Sequence, residues 1–449
     1  MNPDIIPAII VSLIYGAIFI LAELWRHFGK PTPEATRKFV HLSGGIVSLS
    51  FSYVFQSHWT VLALGVLFIS IIAGTRKLGI LQSVHGVTRK SQGQVYYPIA
   101  IYFTFLICSL LKKPHFYVIS VSVLAVADTL AALIGVRYGT KKYRVEDEKK
   151  SIEGSVIFFL ATFIIVHLGL LLLGDLGRME SVVAAFVIAS LVTIFEAVSL
   201  GGADNLFIPF GTLLLLQKFT PNPADEMFRQ LAILMGIFIL ICGIAQHTRK
   251  LSMSGAVGVA MLSYAAWALV DYRWFLPVIT GYLLFNYTNL IIETPQTNLS
   301  KFRIRAVFYT AIIPLVWVFV ANYYYFKGTA QNFLVPYIVS LAASISIYWE
   351  RRARLENNPT GVFKKLNFAL RAMFLTVIYV PVQIALDDKL PAVQSLIACF
   401  LGILVSDRAY WIISRNVVNW KRISYLRMGV GVIALGSVVA YFIIKLSTF

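Results

Sequence analysis

Four carboxylates in this chain stand in costly surroundings, and they set the chemistry to look for. Asp128 lies in the apolar run ISVSVLAVADTLAALIGVRYG. Glu196 and Asp204 flank two glycines in FEAVSLGGADNLFIPF, and Glu153 closes the cationic stretch TKKYRVEDEKKSIEGS. A bare carboxylate is expensive to place in lipid, so it faces a bundle interior or a watery space and takes a cation as partner. Hard oxygen ligands such as Asp128, Asp204, Glu196 and the amide of Asn205 suit Mg²⁺, which usually contacts substrate phosphates as well. Lys141, Lys142 and Lys150 are placed to offset phosphate charge, and Gly135, Gly139 and Gly154 allow close approach to the backbone. His41, one turn after Arg37 and Lys38 in RKFVHLSGG, is a candidate proton acceptor or substrate contact. Arg89 and Gly93, before Tyr97 and Pro98 in TRKSQGQVYYP, form a basic-aromatic edge. Together these residues read as a water-facing site at the membrane boundary that binds an anion.

Each of these residues also has a plainer reading. Ala131, Ala132, Gly135 and Gly139 after Asp128 make a small-residue face suited to close helix packing, with Asp128 paired to a neighbouring cation. GVRYGTKK is not a P-loop, and GxxxxGK[ST] is absent from the chain, so a phosphate site here needs another geometry. The cations of the 135–154 segment satisfy the positive-inside rule with no ligand at all. Glu153 is also an ordinary acid at a helix start, and Asp204 or Asn205 is a natural helix cap.

Helices must position these groups. At 449 residues, 58% hydrophobic and only 13% charged, the chain is no ordinary soluble domain. The expected fold is all-α, a polytopic transmembrane helical bundle of about 16 spans, each of bilayer-crossing length, with the N-terminus outside. The spans fall near 5–24, 39–56, 59–74, 95–111, 115–136, 154–174, 181–199, 205–218, 230–246, 254–270, 274–292, 306–322, 333–349, 367–386, 391–411 and 428–446. With that orientation most Lys and Arg lie in the odd-numbered loops, which then face the cytoplasm. The net charge of +18 is therefore read as cytoplasmic loops rather than a nucleic-acid partner. The short span 205–218 is expected to cross as a helix broken near Gly201-Gly202. No cleavable signal peptide is expected, because Met-Asn-Pro-Asp lacks a basic leader. Cys108, Cys242 and Cys399 stand apart in apolar runs and suggest neither a disulfide framework nor a zinc site. All the candidate polar groups then fall near one membrane face.

The linker TPNPADEMFRQ divides an acid-bearing half, 1–220, from an acid-poor half, 221–449, whose acids (Asp271, Glu293, Glu350, Glu356, Asp387, Asp388, Asp407) are expected at loop edges. The first half resembles the CTP-dependent polyprenol kinase family, which includes dolichol and phytol kinases. The matching pieces stand in order: Arg37-Lys38 with His41, then Arg89 and Gly93 before Tyr97-Pro98, then Asp128, Ala131, Gly135 and Gly139. Lys150 with Glu153-Gly154 follows, and then Glu196, Asp204-Asn205 and Pro209. They cover roughly residues 20–218; Ser151 stands where the family often has Thr and keeps the hydroxyl.

The resemblance implies an integral membrane enzyme that moves the γ-phosphate of CTP onto an isoprenoid alcohol with a divalent metal. It associates the Asp128 helix and the basic segment after it with nucleotide binding. On this reading Asp128, Asp204, Asn205 and Glu196 hold Mg²⁺. Arg89, Gly135, Gly139, Lys141, Lys142, Lys150 and Gly154 bind the nucleotide, and Glu153 or His41 orients or deprotonates the alcohol. The second half is faintly similar to the phytyl-phosphate kinase family through LSMSGAVGVAML and the NPTG at 358–361. It lacks an Asp near SLAASISIYWE and is expected to be a decayed or repurposed module that shapes a lipid entrance or a homodimer surface. The expected location is a prokaryotic plasma membrane with the site on the cytoplasmic side, among membrane lipids. Two rivals remain open: a phosphatidate cytidylyltransferase-like enzyme that makes a CDP-lipid, and a transporter with Asp128 as coupling-ion site.

Overall fold

Apolar sequence becomes helix almost throughout the chain. The computed structural model describes residues 3–86, 92–145, 148–174, 176–249, 251–292, 304–355, 368–385, 392–415 and 422–447. Among the described residues, 12 helices are long and apolar enough to cross a membrane. Among the described residues, each expected span overlaps a helix. Pro33–Leu49, Asp204–Phe219 and Met253–Leu269 are the short ones, at 17, 16 and 17 residues. Among the described residues one two-stranded hairpin interrupts the helices, and the chain divides into two compact units, Met1–Leu231 and Ala232–Phe449.

The first unit runs α1 (Ile5–Gly29), α2 (Pro33–Leu49), α3 (Phe51–Val54), α4 (His58–Leu78), α5 (Gln82–His85), α6 (Gly93–Leu111) and α7 (Pro114–Ser122). A five-residue π turn (Val123–Ala127) leads into α8 (Asp128–Tyr138), so that 114–138 is one continuous helical rod. The hairpin β1 (Lys142–Val145) and β2 (Glu148–Ser151) comes next, pairing Tyr143 with Lys150. It is followed by α9 (Ile152–Leu173), α10 (Arg178–Val198) and α11 (Asp204–Phe219).

Local chemistry sets the ends of these helices. Thr32 caps α2, with Pro33 at its first position and Glu34 in its first turn. Ser151 caps α9 by accepting the Gly154 N–H at 3.1 Å. Gly79, at φ +69°, closes α4 in the left-handed conformation that a residue without Cβ adopts freely.

Asp4 fastens one end of this unit. Its carboxylate accepts the amides of Gln56 and Ser57 and the Thr60 hydroxyl, which ties the start of α1 to the start of α4. At the far end of α1, Glu23 accepts the amide of Ser83 in α5. α1 and α4 therefore run parallel, and the two anchors fix their register.

The second unit packs around Trp274, Tyr337, Tyr379 and Cys399, with the Tyr337 hydroxyl donating to the Trp274 carbonyl at 3.1 Å. One expectation is corrected here. Asp407 does not sit at a loop edge: it is fully buried within the helix Ala392–Arg415. Its Oδ2 accepts the Ser346 hydroxyl at 2.6 Å and lies 3.4 Å from Arg371, which also pairs with Glu350 at 3.0 Å. A sequence window scanned along one helix missed it, because the acid reaches SLAASISIYWE from a different helix. Arg89, Glu293, Glu356, Asp387, Asp388 and the NPTG segment lie outside the described residues.

Candidate active site

The π turn is where the site begins. In an α-helix the Asp128 N–H would go to the Leu124 carbonyl; here it goes to Val123 instead. His41 Nε2, 3.0 Å from Leu124 O, fills the place left open. A carbonyl only accepts, so Nε2 carries the hydrogen, and in the neutral ring Nδ1 is left as the acceptor. Close approach of α2 to this turn depends on Gly45, where a Cβ would collide with the Ala125 side chain and stand 2.9 Å from the Tyr97 hydroxyl.

Asp128 itself is closed by Lys38. The ammonium lies 2.5 Å from Oδ2 and 3.4 Å from the Asp128 carbonyl, and His41 Nε2 stands 3.4 Å from the same Oδ2. Lys38 and Asp128 side chains are only 7% and 9% exposed. Lys38 and His41 sit three residues apart on α2, so both face the same neighbour. The Tyr97 ring meets the His41 ring at a tilt of 57°, with centroids 4.6 Å apart.

These groups line a cavity of about 120 Å³ together with Arg37, Asp204, Asn205, Gly93 and Gln94, several times the ~10–15 Å³ that one water needs. The rest of the wall is apolar and includes Phe19, Phe51, Val61, Leu64 and Phe68. The expected break before the short span is a turn through Gly201 (φ +64°) and Gly202 (φ +86°), with Asp204 opening α11. Asn205 does not cap its helix: its amide nitrogen donates to the Gly93 carbonyl at 2.9 Å. Asp204 Oδ1 accepts the Asn205 N–H at 2.9 Å.

A second layer holds that turn. Lys150 pairs with the Glu196 carboxylate at 2.8 Å and also donates to its carbonyl. Burial opposes the Lys150 charge, but Glu196 and Asp204 outweigh it and hold the ammonium above the ordinary lysine range. Glu148 accepts the Gly201 amide at 2.9 Å, and Gln92 donates to the Gly201 carbonyl at 3.0 Å. Glu196 lies within electrostatic reach of Asp128 and Asp204.

The structure thus brings His41, Asp128, Asp204 and Asn205 to one cavity, with Lys150 and Glu196 behind them. The other candidates gather at the hairpin end of α8 and α9. Gly135, Gly139 and Gly154 pack around Ser151, where an added Cβ would meet Ser151 Oγ at 2.8, 2.8 and 3.0 Å, the close helix contact of the plainer reading. Glu153 Oε1 accepts the amides of Thr140 and Lys141, both at 3.0 Å, and the Thr140 hydroxyl at 2.5 Å. It therefore braces the 140–141 turn rather than lining the cavity. Lys141 and Lys142 are exposed. Arg37 and Lys38 line the cavity although sequence reasoning gave them no role; their spacing of one turn before His41 was the available signal.

Among the described residues, no three acid, histidine or cysteine side chains converge as a metal-binding group. The donor set that fits a divalent ion is smaller than expected: Asp204 and Asn205, with Asp128 nearby but held by Lys38. That suits an ion carried in on phosphates, which needs only one or two protein carboxylates.

The fold and the cavity define a polytopic membrane protein with a charged chamber walled on one side by apolar helices. The chain belongs to the phytol kinase family. The phytol kinase of Synechocystis sp. is 32% identical over 218 residues, 48% of this chain and 93% of that one. The probable chloroplastic phytol kinase of Zea mays is 26% identical over 199 residues, 40% of this chain and 65% of that one. The probable phytol kinase 2 of Glycine max is 24% identical over 189 residues, 40% of this chain and 63% of that one. No family model and no solved structure matches the chain.

Proposed function

We propose that this protein is a membrane prenol kinase that moves the γ-phosphate of CTP to the hydroxyl of an isoprenoid alcohol at the cytoplasmic leaflet. One observation carries the reading: a single cavity is charged at one end, by Arg37, Lys38, Asp128 and Asp204, and apolar at the other. A lipid alcohol has the same division. Kinship with phytol kinases supports the acceptor class, and the resemblance to polyprenol kinases supports CTP as donor.

Phosphoryl transfer needs positioning and charge neutralisation more than covalent help from the protein. The alcohol oxygen attacks the γ-phosphorus as the bond to the β–γ bridging oxygen breaks, and CDP leaves. The alcohol proton passes to His41 Nδ1, the ring nitrogen left free by the bond to Leu124. Asp128 holds Lys38 and His41 in place. Lys38 and Arg37 offset the charge on the transferring group, and Lys141 and Lys142 meet the solvent side of the nucleotide. Asp204 and Asn205 would hold Mg²⁺, which supplies further charge neutralisation when bound. Glu153 keeps the 140–141 turn in shape.

Purified protein, CTP labelled at the γ-position and a set of isoprenoid alcohols test this directly. Labelled lipid phosphate with CDP is the expected outcome. Pyrophosphate with a CDP-lipid would mark a cytidylyltransferase instead, and substrate flux without nucleotide use would mark a transporter.

A further inference from the structure

The cavity has a direction and a length. On α2 its lining runs from Lys38 through His41 and Gly44 to Ser48. On α4 it runs the opposite way, from Val61 through Gly65 to Phe68 and Ile72. The two anchors of α1 fix which end is which: Glu23 binds at α5 beside the charged end, and Asp4 binds at the start of α4 beside Val61. Tyr15, tied to the Gly44 carbonyl and the Ser48 hydroxyl, walls the middle and meets Phe68 edge-on at 4.3 Å.

From His41 to Ser48 the helix rises about 10 Å. An extended carbon chain advances roughly 1.25 Å per bond, so an isoprene unit of four chain bonds spans about 5 Å. The slot below the hydroxyl position therefore takes about two units before Ser48, and Gly65 lies about half-way down it. A Cβ at Gly65 would meet nothing closer than the Pro98 carbonyl at 3.8 Å, which is ordinary contact. The space at position 65 is open, and a side chain there grows into the slot.

We propose that Gly65 is a specificity-determining residue: its missing side chain admits the isoprenoid tail past the first unit, towards Ser48 and Val61. This rests on the kinase reading above. It concerns the depth of the acceptor tail, which the charged end does not decide.

The test measures kcat/KM for five-, ten-, fifteen- and twenty-carbon isoprenoid alcohols in the wild type, Gly65→Ala and Gly65→Leu. The ratio of the twenty-carbon to the five-carbon value is expected to fall about tenfold or more in Gly65→Leu, with Gly65→Ala in between, since displaced methylenes are each worth roughly tenfold or more. Equal ratios in all three proteins would overturn the proposal. Should Gly65→Leu fail to fold, Val61→Ala lengthens the slot instead and is expected to raise the same ratio; an unchanged ratio there counts equally against it. A wild type that phosphorylates no alcohol sinks the kinase reading itself, and this proposal with it.

Discussion

Removing Lys38 separates the structural work of the buried ion pair from its chemical work. Both side chains are more than nine-tenths buried, and the ammonium is the carboxylate's closest partner at 2.5 Å. Lys38→Met leaves Asp128 charged, buried and short of its main cation. Breaking a buried pair in this way costs about 3–5 kcal/mol. For a unit of this size that corresponds to a fall in Tm of roughly 6–20 °C. Asp128→Leu strands the ammonium and costs a similar amount. The double variant Lys38→Met/Asp128→Leu buries no charge at all, and apolar replacement of a whole pair is often neutral. It is expected to recover most of the lost stability. Turnover behaves differently: all three proteins lose at least about a hundredfold in kcat, because a preorganised charge at the transferring group is gone. Thermal unfolding in detergent and γ-phosphate transfer, measured on the same preparations, give both numbers. A stable double variant with wild-type turnover would refute the assignment of Lys38 and Asp128 to chemistry. Single variants that unfold with the wild type would refute the burial argument.

Glu148→Gln and Lys150→Met loosen the Gly201-Gly202 turn that carries Asp204, so KM for CTP is expected to rise several-fold while KM for the alcohol holds; matched changes in both constants would deny the two residues a positioning role. Asp4 supplies a pH test: burial opposes its ionisation, but the amides of Gln56 and Ser57 and the Thr60 hydroxyl outweigh that and hold the carboxyl below the usual range. A depressed folded pKa means its stabilisation is full above about pH 4 and fades as pH falls through the folded value. Thermal stability of the wild type should therefore drop more steeply below that pH than that of Asp4→Asn, and parallel curves would count against the latch.

Much of this was legible because membrane sequences state their periods openly. Span positions followed from apolar runs, and the broken entry to α11 from Gly201-Gly202, which take positive φ. The meeting of His41, Asp128, Asp204 and Asn205 followed from the cost of polar groups in lipid, since each had to find the same polar interior. What stayed hidden depended on contact across helices. Lys38 looks like one more interfacial cation until the π turn and Gly45 bring α2 against Asp128. Lys150 reads in sequence as a phosphate ligand, and in the fold its ammonium faces Glu196. In sequence the hairpin 142–151 reads as loop, because its strands are charged and carry no apolar alternation. Gly135 and Gly139 admit both a packing and a phosphate reading in sequence, and it is the fold that brings Ser151 into the space between them and Gly154.

Depth of burial alone does not mark a site, and the second unit shows why. Asp407 is as thoroughly enclosed as Asp128, and it too meets a cation from a neighbouring helix. Arg371 shares itself between Asp407 and Glu350, and Ser346 donates to the same Oδ2 that faces the guanidinium. The difference is the space alongside. Asp128, Lys38 and His41 form the wall of a cavity that continues into apolar surface. The cavity described in the second unit is lined by Leu262, Tyr282, Phe285 and Ile345, and it shares no residue with the Arg371 cluster. A charged cluster with room beside it can receive a ligand; the Arg371 cluster, among the described residues, joins three helices. In the acid-poor half the buried acid Asp407 ties together the helices that carry Ser346, Glu350 and Arg371.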